Sequence, residues 1–125
     1  MLLPAHTLVT LPHRALVSEV EAVCGRTGYS RFPVAGQSGE LHGYLHIKDA
    51  LEVDPEVDHP IDDKWLRPFA TVRPGERLHE ALTALRRRGA HMGRVVDDRG
   101  SVLGLVTLED VLEELVGEIR DAAHP

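Results

Sequence analysis

An α+β fold of two β-α-β-β-α repeats, packed as a pseudo-twofold pair, is what this sequence predicts. The first reason is internal duplication. Residues 28–51 (GYSRFPVAGQSGELHGYLHIKDAL), moved forward by 61 positions, fall without a gap on residues 89–112 (GAHMGRVVDDRGSVLGLVTLEDVL). Gly28 meets Gly89, Val34 meets Val95, Gly39 meets Gly100, Gly43 meets Gly104, Asp49 meets Asp110 and Leu51 meets Leu112. The segments upstream keep the same offset, pairing Val17 with Leu78, Val20 with Ala81 and Cys24 with Leu85. The last reason is length: 125 residues support one modest core, so the copies are halves of one unit. A repeat that cannot bury its own apolar face packs against its neighbour, which directs the search for function to clefts between the copies.

Each copy opens on a short extended stretch, Leu8–Leu11 in the first and Phe69–Val72 in the second. A helix follows. Val17, Val20 and Cys24 share one face in the first copy, and Leu78, Ala81, Leu82 and Leu85 do so in the second. Gly28 and Gly89 close the two helices, where a left-handed residue is usually required. Two strands then form a hairpin: RFPVA turns through GQSGE into LHGYLHI, and MGRVV turns through DDRGS into VLGLVTL. A closing helix starts near Lys48 or Glu109. The second is the longer, with Val111, Leu112, Leu115 and Ile119 on one stripe and Glu113, Glu114 and Glu118 facing water. Residues 52–68 (EVDPEVDHPIDDKWLRP), rich in proline and acid, read as a solvated linker docked by Trp65. The expected divisions are repeat one over 1–53, the linker over 54–68, repeat two over 69–121 and a tail over 122–125.

Composition narrows the function classes. The apolar fraction of 42% suits a folded domain, and no segment approaches the ~20 apolar residues of a membrane span. The start, MLLPAHT, has no basic region and does not read as a signal peptide. A net charge of −6 argues against binding a nucleic-acid backbone, which needs a basic surface. A single cysteine, Cys24, excludes an internal disulfide and a multi-cysteine zinc site. The expected location is cytoplasmic.

The sharpest local signal is Gly104-Leu105-Val106-Thr107-Leu108-Glu109-Asp110, a strand running directly into a helix. Leu103, Leu105 and Thr107 share one strand face, and Asp110 falls in the first helical turn. Helix capping accounts for Thr107 by itself. A nucleoside accounts for the combination: a carboxylate accepts from two vicinal ribose hydroxyls, and Leu105 offers an apolar contact to a base.

At these residues the sequence resembles a pair of CBS domains (named for cystathionine β-synthase), also called a Bateman module. GYSRFPV, LHIKDALEVDP, LRPFATVRPGERLHEAL and HMGRVVDDRGSVLGLVTLEDVLEELVGEIRD are similar to the CBS pair of the CorC/HlyC/CNNM group of membrane proteins. The resemblance implies a cytoplasmic regulatory module attached to a transmembrane domain, which binds an adenine nucleotide (ATP or AMP, commonly ATP with magnesium) and couples binding to divalent-cation transport. It also implies a homodimer. Carried onto this chain, Thr107 and Asp110 hold the ribose, Leu105 and Tyr29 flank the adenine, Arg31 faces the phosphates and Ser30 adds a hydroxyl. The pseudosymmetric pocket combines Ala90 and Met92 with His46 and Asp49. It lacks the aromatic, the cation and the hydroxyl, so one effective site per chain is expected. Arg94, in Met92-Gly93-Arg94, departs from the family pattern and is a candidate further phosphate contact.

No catalytic constellation is present, and the chain is not expected to be an enzyme. His42, Tyr44 and His46 alternate on one strand face, but histidines without a nearby carboxylate or cysteine are commonly surface residues, and no metal site is expected. Arg86-Arg87-Arg88 ends a helix, where cations suit the dipole. Two other readings stay open: an interaction and dimerisation module with a degenerate, empty cleft, and a metal-sensing domain using the histidines and the acidic helix.

Overall fold

The structure, a computed structural model, describes residues 9–51 and 58–123. The elements run α1 (Val17–Thr27), β1 (Arg31–Ala35), β2 (Leu41–His46), α2 (Ile47–Leu51), β3 (Ala70–Val72), α3 (Leu78–Arg88), β4 (Met92–Val96), β5 (Val102–Thr107) and α4 (Leu108–Ala123). The described residues divide into two compact units, Val9–Pro68 and the chain from Phe69 onward.

Hydrogen bonding repeats at the same 61-residue offset as the sequence. Leu16 N–H donates to the Glu19 carboxylate at 3.2 Å, and Arg77 N–H to that of Glu80 at 3.3 Å, closing the start of α1 and of α3. Gly28 and Gly89 end those helices at φ 74° and 63°. Each hairpin is antiparallel and each shifts register at the same place, between Val34 and Ala35 and between Val95 and Val96. A bulge lets one strand carry an extra residue and strengthens its twist.

In the first unit the expected opening strand shrinks to one parallel bridge. Leu11 N–H donates to Pro33 O, and Ala35 N–H to Leu11 O, both at 2.9 Å. Pro12 follows and has no N–H to extend the ladder. The chain turns at once, Ala15 N–H reaching Pro12 O at 3.2 Å. Leu8, also assigned to this stretch by its sequence, lies outside the described residues. The second unit keeps a strand at Ala70–Val72, without Phe69: β3 pairs parallel with β4, and its Val72–Val95 pair is the equivalent of Leu11–Val34.

Residues 58–68 are not the solvated linker their composition suggests; residues 52–57 lie outside the described residues. Val17 N–H donates to His59 O at 2.8 Å and Ile61 N–H to Ala15 O at 2.7 Å, while Ile61 is 1% exposed in the first core. Trp65 and Leu66 pack against that core, and Arg67 exchanges two backbone hydrogen bonds with Tyr44. One apolar residue with paired neighbours is enough to draw an acidic, proline-rich stretch onto a sheet edge. Asp58 takes part: its carboxylate accepts from Ser18 Oγ at 2.6 Å and from Ser18 N–H at 3.0 Å. These bonds, the hydroxyl first and the backbone second, hold its carboxyl below the ordinary carboxylate range. A depressed folded-state pKa stabilises the fold above the unfolded value, and that contribution is lost as pH falls through the folded value. In Ser18→Ala the Asp58 titration, followed by NMR, is expected to move up towards that of an unperturbed aspartate; an unmoved midpoint rejects the assignment.

Leu11, Val20, Phe32, Val34, Leu45, Ala50 and Ile61 form the first core, and Ala70, Val72, Ala81, Leu85, Val95, Val106 and Val111 the second. The copies fill equivalent space differently. Phe32 is fully buried where the second copy has Gly93, and Cys24 stands where the second copy has Leu85. A Cβ built on Gly93 would lie 3.3 Å from Leu85 Cδ2, so the larger helix residue has taken the room left by the missing side chain.

The expected α4 stripe divides. Val111 is buried and Leu115 partly so, but Leu112 and Ile119 are 44% and 68% exposed, as is Val116 at 47%. Glu114 is partly buried, while Glu113 and Glu118 face water. The apolar arc is wider than the strip the second core covers.

Candidate functional site

Thr107 is the last residue of β5 and the residue before α4. Its position is fixed twice. Across the hairpin it faces Met92, and the next residue, Leu108, donates its N–H to His91 O at 2.8 Å. Its Oγ1 accepts the Asp110 N–H at 3.1 Å, which is the capping geometry the sequence allows and leaves the hydroxyl proton to donate elsewhere. Asp110 is thereby held in the first turn of a 16-residue helix, where the dipole favours a negative charge. Among the described residues no cation or donor is paired with its carboxylate.

The first unit builds the same turn from other residues. His46 replaces Thr107 and faces Arg31 across its hairpin, its Nδ1 accepting the Lys48 N–H at 3.0 Å. Ile47 N–H donates to Ser30 O at 2.8 Å, the equivalent of the Leu108–His91 bond. The aspartate here has a different fate. Asp49 is gripped by Arg67 in a two-pronged pair, Nε to Oδ2 at 3.1 Å and Nη2 to Oδ1 at 3.2 Å. Such a fork satisfies both carboxylate oxygens and neutralises the charge. The sequence reading missed Arg67: one offset upstream its counterpart is His6, which carries no matching signal and lies outside the described residues.

The remaining candidates fall as follows. Tyr29, Ser30 and Arg31 are consecutive and lead from α1 into β1. Tyr29 is 55% exposed, Ser30 is exposed and Arg31 is partly buried. Leu105 shares a strand face with Thr107 but is 0% exposed, and the exposed apolar residues of β5 are Val102 and Leu103, at 37% and 49%. Met92 is 3% exposed. His42 is exposed and His46 partly so, and among the described residues no three histidine, cysteine, aspartate or glutamate side chains are grouped to hold a metal ion. Glu109, read from sequence as part of a solvated face, lies 3.3 Å from His91 Nδ1 through its Oε1. Among the described residues no helix is long and apolar enough to cross a membrane.

A duplicated unit of helix, hairpin and helix, whose copies each turn from hairpin to helix through a capping residue and an aspartate, defines a tandem α+β repeat module. The family model for the CBS domain matches residues 66–117, and the chain belongs to the CBS-domain family, with the modules of the CNNM/CorC group. It is similar to the CBS domain of a bacterial CNNM/CorC family Mg2+ transporter solved in complex with ATP. That likeness has 34% identity and a TM-score of 0.81, over 93% of this chain and 84% of that one. It is 34% identical over 123 residues to the magnesium and cobalt efflux protein CorC of Salmonella typhimurium, matching 97% of this chain and 42% of that protein. An uncharacterized protein of Mycobacterium tuberculosis is 44% identical over 108 residues, 86% of this chain and 31% of that protein. The chain thus spans less than half the length of these curated relatives.

Proposed function

We propose that this chain is the regulatory module of a divalent-cation transport or efflux protein of the membrane, and that it binds one adenine nucleotide through Thr107 and Asp110. The observation that carries this reading is the inequality of the two helix-start aspartates. Asp49 is neutralised by Arg67, whereas the Asp110 carboxylate stays open beside a hydroxyl with a proton to give. An open carboxylate in that position suits a ribose diol. Tyr29, the exposed aromatic of the first unit, is the candidate to stack on an adenine, since every base offers a π face. Ser30 and Arg31, both of the first unit, are the candidates for the phosphates of ATP, with magnesium, or of AMP. The likeness to an ATP-bound CBS domain of the CNNM/CorC family supports the choice of nucleotide.

Binding acts by differential affinity for two arrangements of the module, which biases the membrane domain attached to it on the cytoplasmic side. The exposed Leu112, Val116 and Ile119 of α4 support a homodimer as the working form. Calorimetric titration with ATP and AMP, with and without magnesium, is expected to give one site per chain. Asp110→Ala should weaken it about ten- to a hundredfold, the loss of a charge-assisted contact of ~1.5–3 kcal/mol. Asp49→Asn should leave the affinity unchanged. Silence from a folded chain overturns the proposal and favours a module that only assembles, and two equal sites overturn the single-site reading.

A further inference from the structure

Arg94 is a charged residue of the second unit that the proposed function leaves unused. It stands in β4 with Thr71 of β3 on one side and Leu105 of β5 on the other. Residues facing one another across a ladder project to the same side of the sheet, so Thr71, Arg94 and Leu105 form one row and Met92 with Thr107 form the next. The opposite side belongs to Ala70, Gly93 and Val106, whose neighbour is Leu85 of α3. Arg94 and Thr107 therefore share the face that α3 does not cover, one row apart, which is about 7 Å along the strand.

The surroundings of Arg94 are apolar. Its guanidinium carbon lies 5.5 Å from the centroid of the Phe69 ring, and Phe69, Met92 and Leu105 are each at most 5% exposed. Its Nε is buried and has no hydrogen-bond partner, and among the described residues no carboxylate is paired with the side chain. A guanidinium carries five donors and does not give up its charge at any ordinary pH. Buried donors are satisfied in the great majority of native structures, so one left over on a fixed cation points to an absent acceptor. The equivalent position in the first unit is Pro33, which offers neither donor nor charge.

We infer that Arg94 is a phosphate-binding residue, which grips the phosphate chain of the nucleotide whose ribose Thr107 and Asp110 hold. The inference rests on the nucleotide reading above and adds to it a second cation from the strand that precedes the ribose turn. The spacing of one row is of the order of the distance between a ribose diol and the phosphates of the same molecule. A flat, forked donor set also suits phosphate oxygens better than a point charge would.

The experiment titrates the whole 125-residue chain with ATP and with adenosine, in the natural sequence and in Arg94→Met and Arg94→Gln. Thermal melts of both variants confirm that they are folded. ATP affinity is expected to fall about ten- to a hundredfold in both while adenosine affinity stays as it was, because only the charged part of the ligand loses a partner. Unchanged ATP affinity overturns the role of Arg94 and leaves the ribose site standing. Equal losses for ATP and adenosine also overturn it, since they mark a strand distortion. If the natural sequence binds neither ligand, the nucleotide reading itself falls and takes this inference with it.

Discussion

Phe32→Ala is expected to cost about 3–5 kcal/mol of folding stability, the largest loss from any single truncation proposed for this chain. Phe32 is fully buried, pairs with Leu45 across the hairpin, and shares its core with Leu11, Val20, Val34 and Ile61. Its ring fills a volume that no flexible side chain stands ready to occupy, so the transfer and cavity terms add. Against a total of ~5–15 kcal/mol for an ordinary domain, that is a large share. Urea unfolding should show a lower midpoint at unchanged slope. The second copy suggests a compensation. There Gly93 replaces the phenylalanine and Leu85 replaces Cys24, so Cys24→Leu added to Phe32→Ala should restore part of the loss. A Phe32→Ala cost below about 1 kcal/mol would show that this core collapses around the gap and that the ring is not what organises it.

Gly43→Val should destabilise the first unit by about 3 kcal/mol, through crowding where Phe32→Ala acts through a void. A Cβ at this position would lie 2.9 Å from the Arg67 carbonyl oxygen and 3.2 Å from Leu66 Cβ. The obstruction is backbone that is itself pinned. Tyr44 N–H donates to Arg67 O at 3.0 Å and Arg67 N–H to Tyr44 O at 2.8 Å, immediately beside the glycine. Relieving the clash means moving residues 66 and 67 off the sheet edge, which breaks those two bonds and loosens the Arg67–Asp49 fork. A melting temperature lower by about 10 °C is the expected reading for a chain of this size. A variant that melts with the natural protein would mean that residues 66–67 move away at no cost, and the edge pairing would lose its claim to organise the unit.

Much of the architecture was legible because period and punctuation survive in the sequence. The helices were marked by the spacing of Val17 and Val20 and of Leu78, Ala81 and Leu85, and by glycines that end them at positive φ. The hairpins were marked by turn residues between apolar runs, and the structure places Gly39 and Gly100 there at φ 85° and 83°. Less legible was what depends on partners distant in sequence. Residues 58–68 have the composition of a linker, yet Ile61 is buried and Arg67 edges a sheet, because backbone groups on Ala15 and Tyr44 were waiting to be paired. The α4 stripe was legible as apolar but not as divided into a covered part and an open one.

The same division holds for the candidate site. Sequence alone determined that a threonine and an aspartate stand at a strand-to-helix turn, that a second aspartate occupies the equivalent place, and that the chain belongs with CBS modules. These are properties of spacing, and spacing is written in the chain. Only the tertiary structure decided that the two aspartates differ, one held by Arg67 and one left open, and that Arg94 lies on the face of Thr107 with a donor unspent. Which carboxylate is neutralised depends on where a cation 18 residues away in the chain comes to rest, and no local pattern of charge or hydrophobicity records that distance.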